Sequence, residues 1–142
     1  MDARSRRQTQ GRPGPELTQA GQGLRPGQRA EILACRYLRA RGLKLLAANY
    51  RCRYGELDLV MRDGALLAVI EVRARRSDRY GAPEASLTAR KVRCLTRAAR
   101  CFIHDHPQFG GMMLRFDVVG ILGRGNRPRI RWIRNALQFD GR

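Results

Sequence analysis

The chain has 142 residues, 43% of them hydrophobic, and a formal net charge of +17. That length and apolar content support one folded domain with a real core and exclude a merely basic tail. No apolar run reaches the length of a membrane span, and the amino terminus lacks the apolar stretch of a secretory signal, so the expected compartment is the cytoplasm.

A charge this high repels itself within a compact domain and calls for a polyanionic partner. Nucleic acid fits it better than an anionic membrane. Only two of the basic residues are lysines, Lys44 and Lys91; the rest are arginines. Cys35, Cys52, Cys94 and Cys101 form no CxxC pair, and Cys101, His104 and His106 lack zinc-ligand spacing. They read as reduced cysteines and surface histidines.

Residues 1–26, rich in Gln, Gly, Pro and Arg, are expected to form a disordered basic tail, and residues 27–142 a single domain. "GQRAEILACRYLRARG" predicts a helix, because Ala30, Leu33, Ala34, Tyr37 and Leu38 make one apolar stripe and Gly42 supplies a stop. Glu31 falls in its first turn, where a carboxylate suits the helix dipole. "LKLLAANYR", "GELDLVMR" and "ALLAVIEVRAR" read as three strands, the last two joined by a two-residue type I′ turn at Asp63–Gly64. The third strand is apolar at nearly every position from 66 to 72, the mark of a central strand covered on both faces.

"SDRYGAPEAS" is a loop. From Thr88, a good N-cap, a helix is predicted to about His104, with Val92, Leu95, Ala99, Phe102 and Ile103 inward. Arg90, Arg93, Arg97 and Arg100 lie mostly on its other side. "DHPQFGG" breaks the chain. "MLRFDVVGIL" is a fourth strand, and "PRIRWIRNAL" is a fifth strand or a short terminal element. The order α-β-β-β-α-β-β predicts an α/β protein with a mixed sheet flanked by helices.

A two-residue loop at Asp63–Gly64 pairs Arg62 with Ala65. It sets Glu56 opposite Glu71 and Asp58 opposite Val69. Glu56, Asp58, Val60, Val69, Glu71 and Arg73 then share one face, with Asp58 and Glu71 diagonal neighbours about 7–8 Å apart. Like charges facing each other on a sheet repel. Either a divalent cation with oxygen ligands relieves them, or Arg73 and neighbouring arginines do so as salt bridges. Asp117 reads as a structural partner of Arg115 more than as a catalytic acid. Lys91 contacts phosphate or solvates the helix end, and Trp132 is a core residue or an interface anchor.

"GELDLV…VIEVRAR" resembles the PD-(D/E)xK nuclease signature, with Asp on one strand and (D/E)-x-K on the next. More closely, the chain resembles the YraN-like endonuclease family, related in fold to archaeal Holliday junction resolvases. The likeness spans about residues 27–137. It is carried by "GQRAEILACRYLRARGL", "NYRCRYGELDLV", "IEVRAR", Lys91 and "RFDVVGI". The resemblance implies a restriction-endonuclease-like fold and Mg2+- or Mn2+-dependent hydrolysis of phosphodiester bonds in DNA, branched or structured DNA included. It makes Asp58 and Glu71 metal ligands with Glu56 nearby, and Glu31 an acidic position that can join the site.

Arg73 stands where the signature has lysine. Arginine stays protonated, so it can hold a phosphate and stabilise a transition state but cannot act as a general base. Arg75, Arg76, Arg90 and Lys91 are the expected nucleic-acid contacts. Three functions stay open: a metal-dependent nuclease, a nucleic-acid-binding protein on a nuclease scaffold without turnover, and an assembly partner. The last leaves the carboxylates unexplained. A homodimer is expected by analogy with the resolvases.

Overall fold

A computed structural model describes residues 26–76, 81–83, 87–123 and 127–137. The elements follow the expected order: α1 (Pro26–Ala40), β1 (Lys44–Cys52), β2 (Gly55–Asp63), β3 (Leu66–Arg75), α2 (Ala89–Asp105), a 3-10 turn (Pro107–Phe109), β4 (Met113–Leu122) and β5 (Arg129–Ile133). Residues 1–25 of the expected tail lie outside the described residues, and Pro26, assigned to it, opens α1. Glu31 therefore sits beyond the first turn, not within it. No helix among the described residues is long and apolar enough to cross a membrane.

Local signals close the helices. Gly42, at φ 95°, donates to Arg39, and Leu43 donates to Leu38, so α1 ends in a Schellman motif. Thr88 Oγ1 accepts the Lys91 N–H at 3.1 Å and caps α2.

The five strands form one sheet in the order β1-β2-β3-β4-β5. Only β3 and β4 run parallel, joined through α2; the other neighbours are antiparallel. This is the mixed sheet with flanking helices expected from the sequence, and β3 is its central strand. Alternation along the strands separates two cores. Ala30, Ala34, Cys35 and Leu38 of α1 pack with Leu59, Met61, Ala68 and Ile70. Leu95, Ala98, Ala99 and Phe102 of α2 pack with Val60, Leu67, Val69 and Phe116 on the other face. Each fully buried Leu or Phe contributes about 2 kcal/mol, so the helices are held mainly by these stripes. Val92 and Ile103 are only half-buried at the margin of the α2 stripe. His106, read as a surface residue, is half-buried and stacks on Phe102 at 4.3 Å between ring centres.

The β2–β3 turn differs from expectation by one step. Asp63 pairs with Leu66, so the loop is Gly64–Ala65 and Arg62 pairs with Leu67. Gly64 alone carries positive φ (58°), the pattern of a II′ rather than a I′ turn. The shift preserves which residues share a face but slides β3 along β2 by two positions.

Asp117 organises the far side of the sheet. It is 1% exposed and accepts from Arg115 Nε and Nη2 (both 2.9 Å), Trp132 Nε1 (3.1 Å) and the Asn135 N–H (2.9 Å). Arg115 also reaches Asp63 Oδ2 at 2.8 Å, tying β4 to the hairpin end. Removing one member of such a buried set strands the others. Asp117→Ala should cost about 3 kcal/mol and lower Tm by roughly 10 °C. A calorimetric scan showing no loss would refute the structural role.

Candidate metal centre

The site begins with a break in strand alternation. Leu57 packs on the α2 side with Val60, while Leu59 packs on the α1 side. In β1 the same flip separates Ala48 from Tyr50. Between these pairs lies Asn49 opposite Asp58, and Asn49 adopts φ 53°. The left-handed region is accessible to Asn at low cost, which is how a non-glycine residue can occupy this point. Both strands change phase at one level, so their pairing continues.

The flip decides where the acids go. The β2–β3 ladder ends at the Leu59–Ile70 pair. One step further, the Asp58 carboxylate replaces a backbone carbonyl: its Oδ2 accepts the Val72 N–H at 2.9 Å. Asp58 thus lies in the fork of β2 and β3, next to Glu71. Directly opposed, not diagonal, is the relation that the shifted register gives them. Glu56 does not face Glu71. It turns to the α1 side, where Arg51 pairs with it at 3.2 Å. There one oxygen each of Glu31, Glu56 and Asp58 lie within 4.8 Å of one another. The side chain of Asn49 lies near enough to Glu31 to oppose the rise in its pKa, so the residue that breaks the strand also adjoins the helix acid.

Glu71 is 7% exposed. Its Oε1 faces Arg73 Nη2 at 3.2 Å and Lys91 Nζ at 3.4 Å. Among the described residues, two buried side-chain atoms lack a hydrogen-bond partner: Glu71 Oε2 and Arg73 Nε. Burial, then the charge of Asp58, pushes Glu71 up to about 7, against the pull of Lys91 and Arg73. Glu31 is also raised to about 7, by burial and then by Asp58. Burial raises Asp58 as well, opposed by the Val72 N–H. Three acids held out of their ordinary range in one place mark a site built to take up a proton or a cation.

The structure brings Asp58, Glu71, Glu31, Glu56, Arg73 and Lys91 together. Lys91 is not simply at the helix end: the Thr88 cap aims the first turn of α2 at β3, and the ammonium meets Glu71. Arg75 is drawn to the Gly81 carbonyl at 3.5 Å. Arg76 and Arg90 are exposed and make no contact with the acids in the described set. Sequence reading missed Asn49. Its only signal was a turn-favouring residue in the middle of a strand pattern.

Comparison with known proteins gives the family of the chain. Residues 30–121 match the uncharacterised protein family UPF0102. A UPF0102 protein of Methylococcus capsulatus is 44% identical over 112 residues, covering 79% of this chain and 89% of the relative. One from Nitrosococcus oceani is 43% identical over 114 residues, covering 80% and 92%. One from Xanthomonas campestris is 45% identical over 114 residues, with the same coverage. The matched segment contains Glu31, Asn49, Glu56, Asp58, Glu71, Arg73 and Lys91, so the whole centre lies within the shared region. By family match and by relatives alike, the chain belongs to UPF0102.

Proposed function

We propose that the protein is a divalent-metal-dependent endonuclease acting on DNA. The observation that carries this reading is the unpartnered, buried Glu71 Oε2 beside Asp58 in the mouth of the fork. An oxygen so placed needs a proton or a cation. The surrounding donors are all carboxylate oxygens, the set that suits Mg2+ or Mn2+ and not a soft metal. Asp58 and Glu71 are the primary ligands in this reading, with Glu56 and Glu31 completing the acidic wall or holding bound water.

A bound ion of this kind polarises the phosphate and lowers the pKa of an attacking water. The chain's own groups do the rest. Asp58 is fixed by the Val72 N–H, so its free oxygen keeps one direction. Lys91 and Arg73 flank Glu71 and stand ready to meet the charge that develops on the phosphate. Lys91 supplies from a helix the ammonium that the signature otherwise takes from the strand position occupied by Arg73. The net charge of +17 adds phosphate affinity that should weaken steeply with salt.

Binding without turnover is the second reading, and it rests on Arg73. Cleavage assays separate the two. Wild type should cut plasmid or four-way-junction DNA with Mg2+ or Mn2+, and Asp58→Ala and Glu71→Gln should each lose at least about 100-fold. Lys91→Met should lose about 10-fold or more. Metal-dependent cutting that survives Asp58→Ala would trace to a contaminating nuclease and sink the site. No cutting by wild type, with cutting restored in Arg73→Lys, would favour the binding-only reading.

The raised acids give a pH signature. Glu31 and Glu71 move from 4.5 in the free state to about 7 in the fold. Their neutral forms favour the folded state, so the stability they lend is full below about 4.5 and is lost as pH rises to about 7. Metal should replace that loss. Mn2+ should raise Tm more at pH 8 than at pH 5, and Glu71→Gln should shrink the difference. Equal shifts at both pH values would count against metal binding at these acids.

A further inference from the structure

We propose that the cleft between the β1–β2 turn and α2 holds one unpaired nucleotide, so that the preferred substrates carry a single-stranded segment within a few nucleotides of the cut. This rests on the reading of the chain as a nuclease, and it names the substrate class. The cleft has a volume of about 590 Å³ and is lined by residues that include Tyr50, Tyr54, Arg97, Arg100 and Asp105. That size falls in the range of small-molecule sites, enough for a nucleotide and not for a duplex.

Its walls come from two elements. Cys52 pairs with Gly55, so Arg53–Tyr54 is the turn between β1 and β2. Gly55, at φ 143°, brings that turn down to Cys94 of α2: a Cβ on the glycine would lie 4.0 Å from the Cys94 Cβ. Tyr54 is thereby seated over the outer side of α2, half-buried. Tyr50 forms the inner wall. Its hydroxyl donates to Asp105 Oδ2 at 2.6 Å and its ring meets Phe102 edge-on at 5.3 Å, so it is committed to the fold.

Tyr54 is not committed in that way. Its partners are guanidiniums: Arg53 Cζ lies 4.7 Å from the ring centre and Arg97 Cζ 5.6 Å, and Arg53 also donates to the phenol oxygen. Arg53 is exposed and free to leave. A ring bordered by arginines is the arrangement that single-strand binders use, with a base stacked on the aromatic and phosphates on the cations. Any base offers the π-face, so the contact requires an unstacked nucleotide and no particular sequence. A groove for phosphates alone would have no use for the ring.

The placement links cleft and centre. Tyr54 precedes Asp58 by four positions along β2 and its turn, about 13 Å at roughly 3.3 Å per residue. A strand passing from the cleft to the fork covers that distance in a few nucleotides. Arg97 and Arg100, on the exposed side of α2, line the cleft itself.

Fluorescence anisotropy in chelator tests this without any turnover. The probes are a blunt DNA duplex and the same duplex with a short oligo-dT tail, at one fixed salt concentration. Wild type should bind the tailed probe more tightly. Tyr54→Ala should weaken tailed binding about 10-fold and leave blunt binding within about twofold. Tyr54→Phe, which keeps the ring, should retain the preference and guards against a folding artefact. Equal loss on both probes, or no loss on either, would overturn the proposal. A wild type that cuts DNA but shows no tail preference refutes this inference alone. A tail preference that depends on Tyr54, in a protein that never cuts, refutes the catalytic reading alone.

Discussion

The arrangement of the whole site follows from the repulsion among carboxylates at the mouth of the β2–β3 fork. Oxygens of Glu31, Glu56 and Asp58 lie within 4.8 Å of one another, with Glu71 adjoining Asp58. At such separations two like charges cost roughly 3–4 kcal/mol at an effective dielectric of about 20. A domain has only about 5–15 kcal/mol of net stability. Several unrelieved pairs are therefore not sustainable. Burial first, and the charge of Asp58 second, raise Glu31 and Glu71 to about 7, so protonation relieves part of the repulsion. Each element around the fork can be understood as a support for that concentration of charge: the Val72 N–H on Asp58, Asn49 on Glu31, Arg51 on Glu56, and Arg73 with Lys91 on Glu71.

The two cations at Glu71 are not equivalent. Arg73 lies on the same strand two residues away and presents a planar fork, with Nη2 on the carboxylate and Nε left without a partner. Lys91 arrives from α2 as a compact charge on a flexible stem, its side chain 40% exposed. Arginine in the strand position is planar and held close to the sheet, whereas the lysine has the freedom to swing from Glu71 towards solvent. The sequence contains just two lysines, and one of them stands here. That division of labour depends on the Thr88 cap, which sets where α2 begins.

Much of this was legible in the sequence. Ala30 to Leu38 repeat at helical spacing, and the run from Leu66 to Val72, apolar at nearly every position, required a strand covered on both sides; both held, because burial imposes those periods directly. Alternation and an assumed hairpin register put Asp58 and Glu71 on one face as diagonal neighbours; the shifted register makes them directly opposed. Other features were not legible. The hairpin loop turned on whether Asp63 or Ala65 flanks Gly64, and local preference favoured Asp-Gly. The observed register moves β3 by two positions, so Leu67 faces the α2-side core in either register and burial alone does not choose between them. Strict alternation also misassigned Glu56, because it knows nothing of the phase change at Asn49. Lys91 needed the crossover geometry of α2, which no local pattern contains.

Two aspartates show what separates support from function. Asp117 and Asp58 both sit within strands of one sheet. Asp117 is met by a guanidinium, an indole N–H and a backbone N–H, and its charge is fully answered. Asp58 has one backbone donor and, beside it, another acid. The chain has 29 basic residues and could have answered Asp58 as it answered Asp117. Instead, acids crowd the fork while the arginines line its approaches. A half-buried carboxylate answered by one backbone N–H and the more distant charge of Lys91, in so basic a protein, fits the proposal of a site that an incoming group completes.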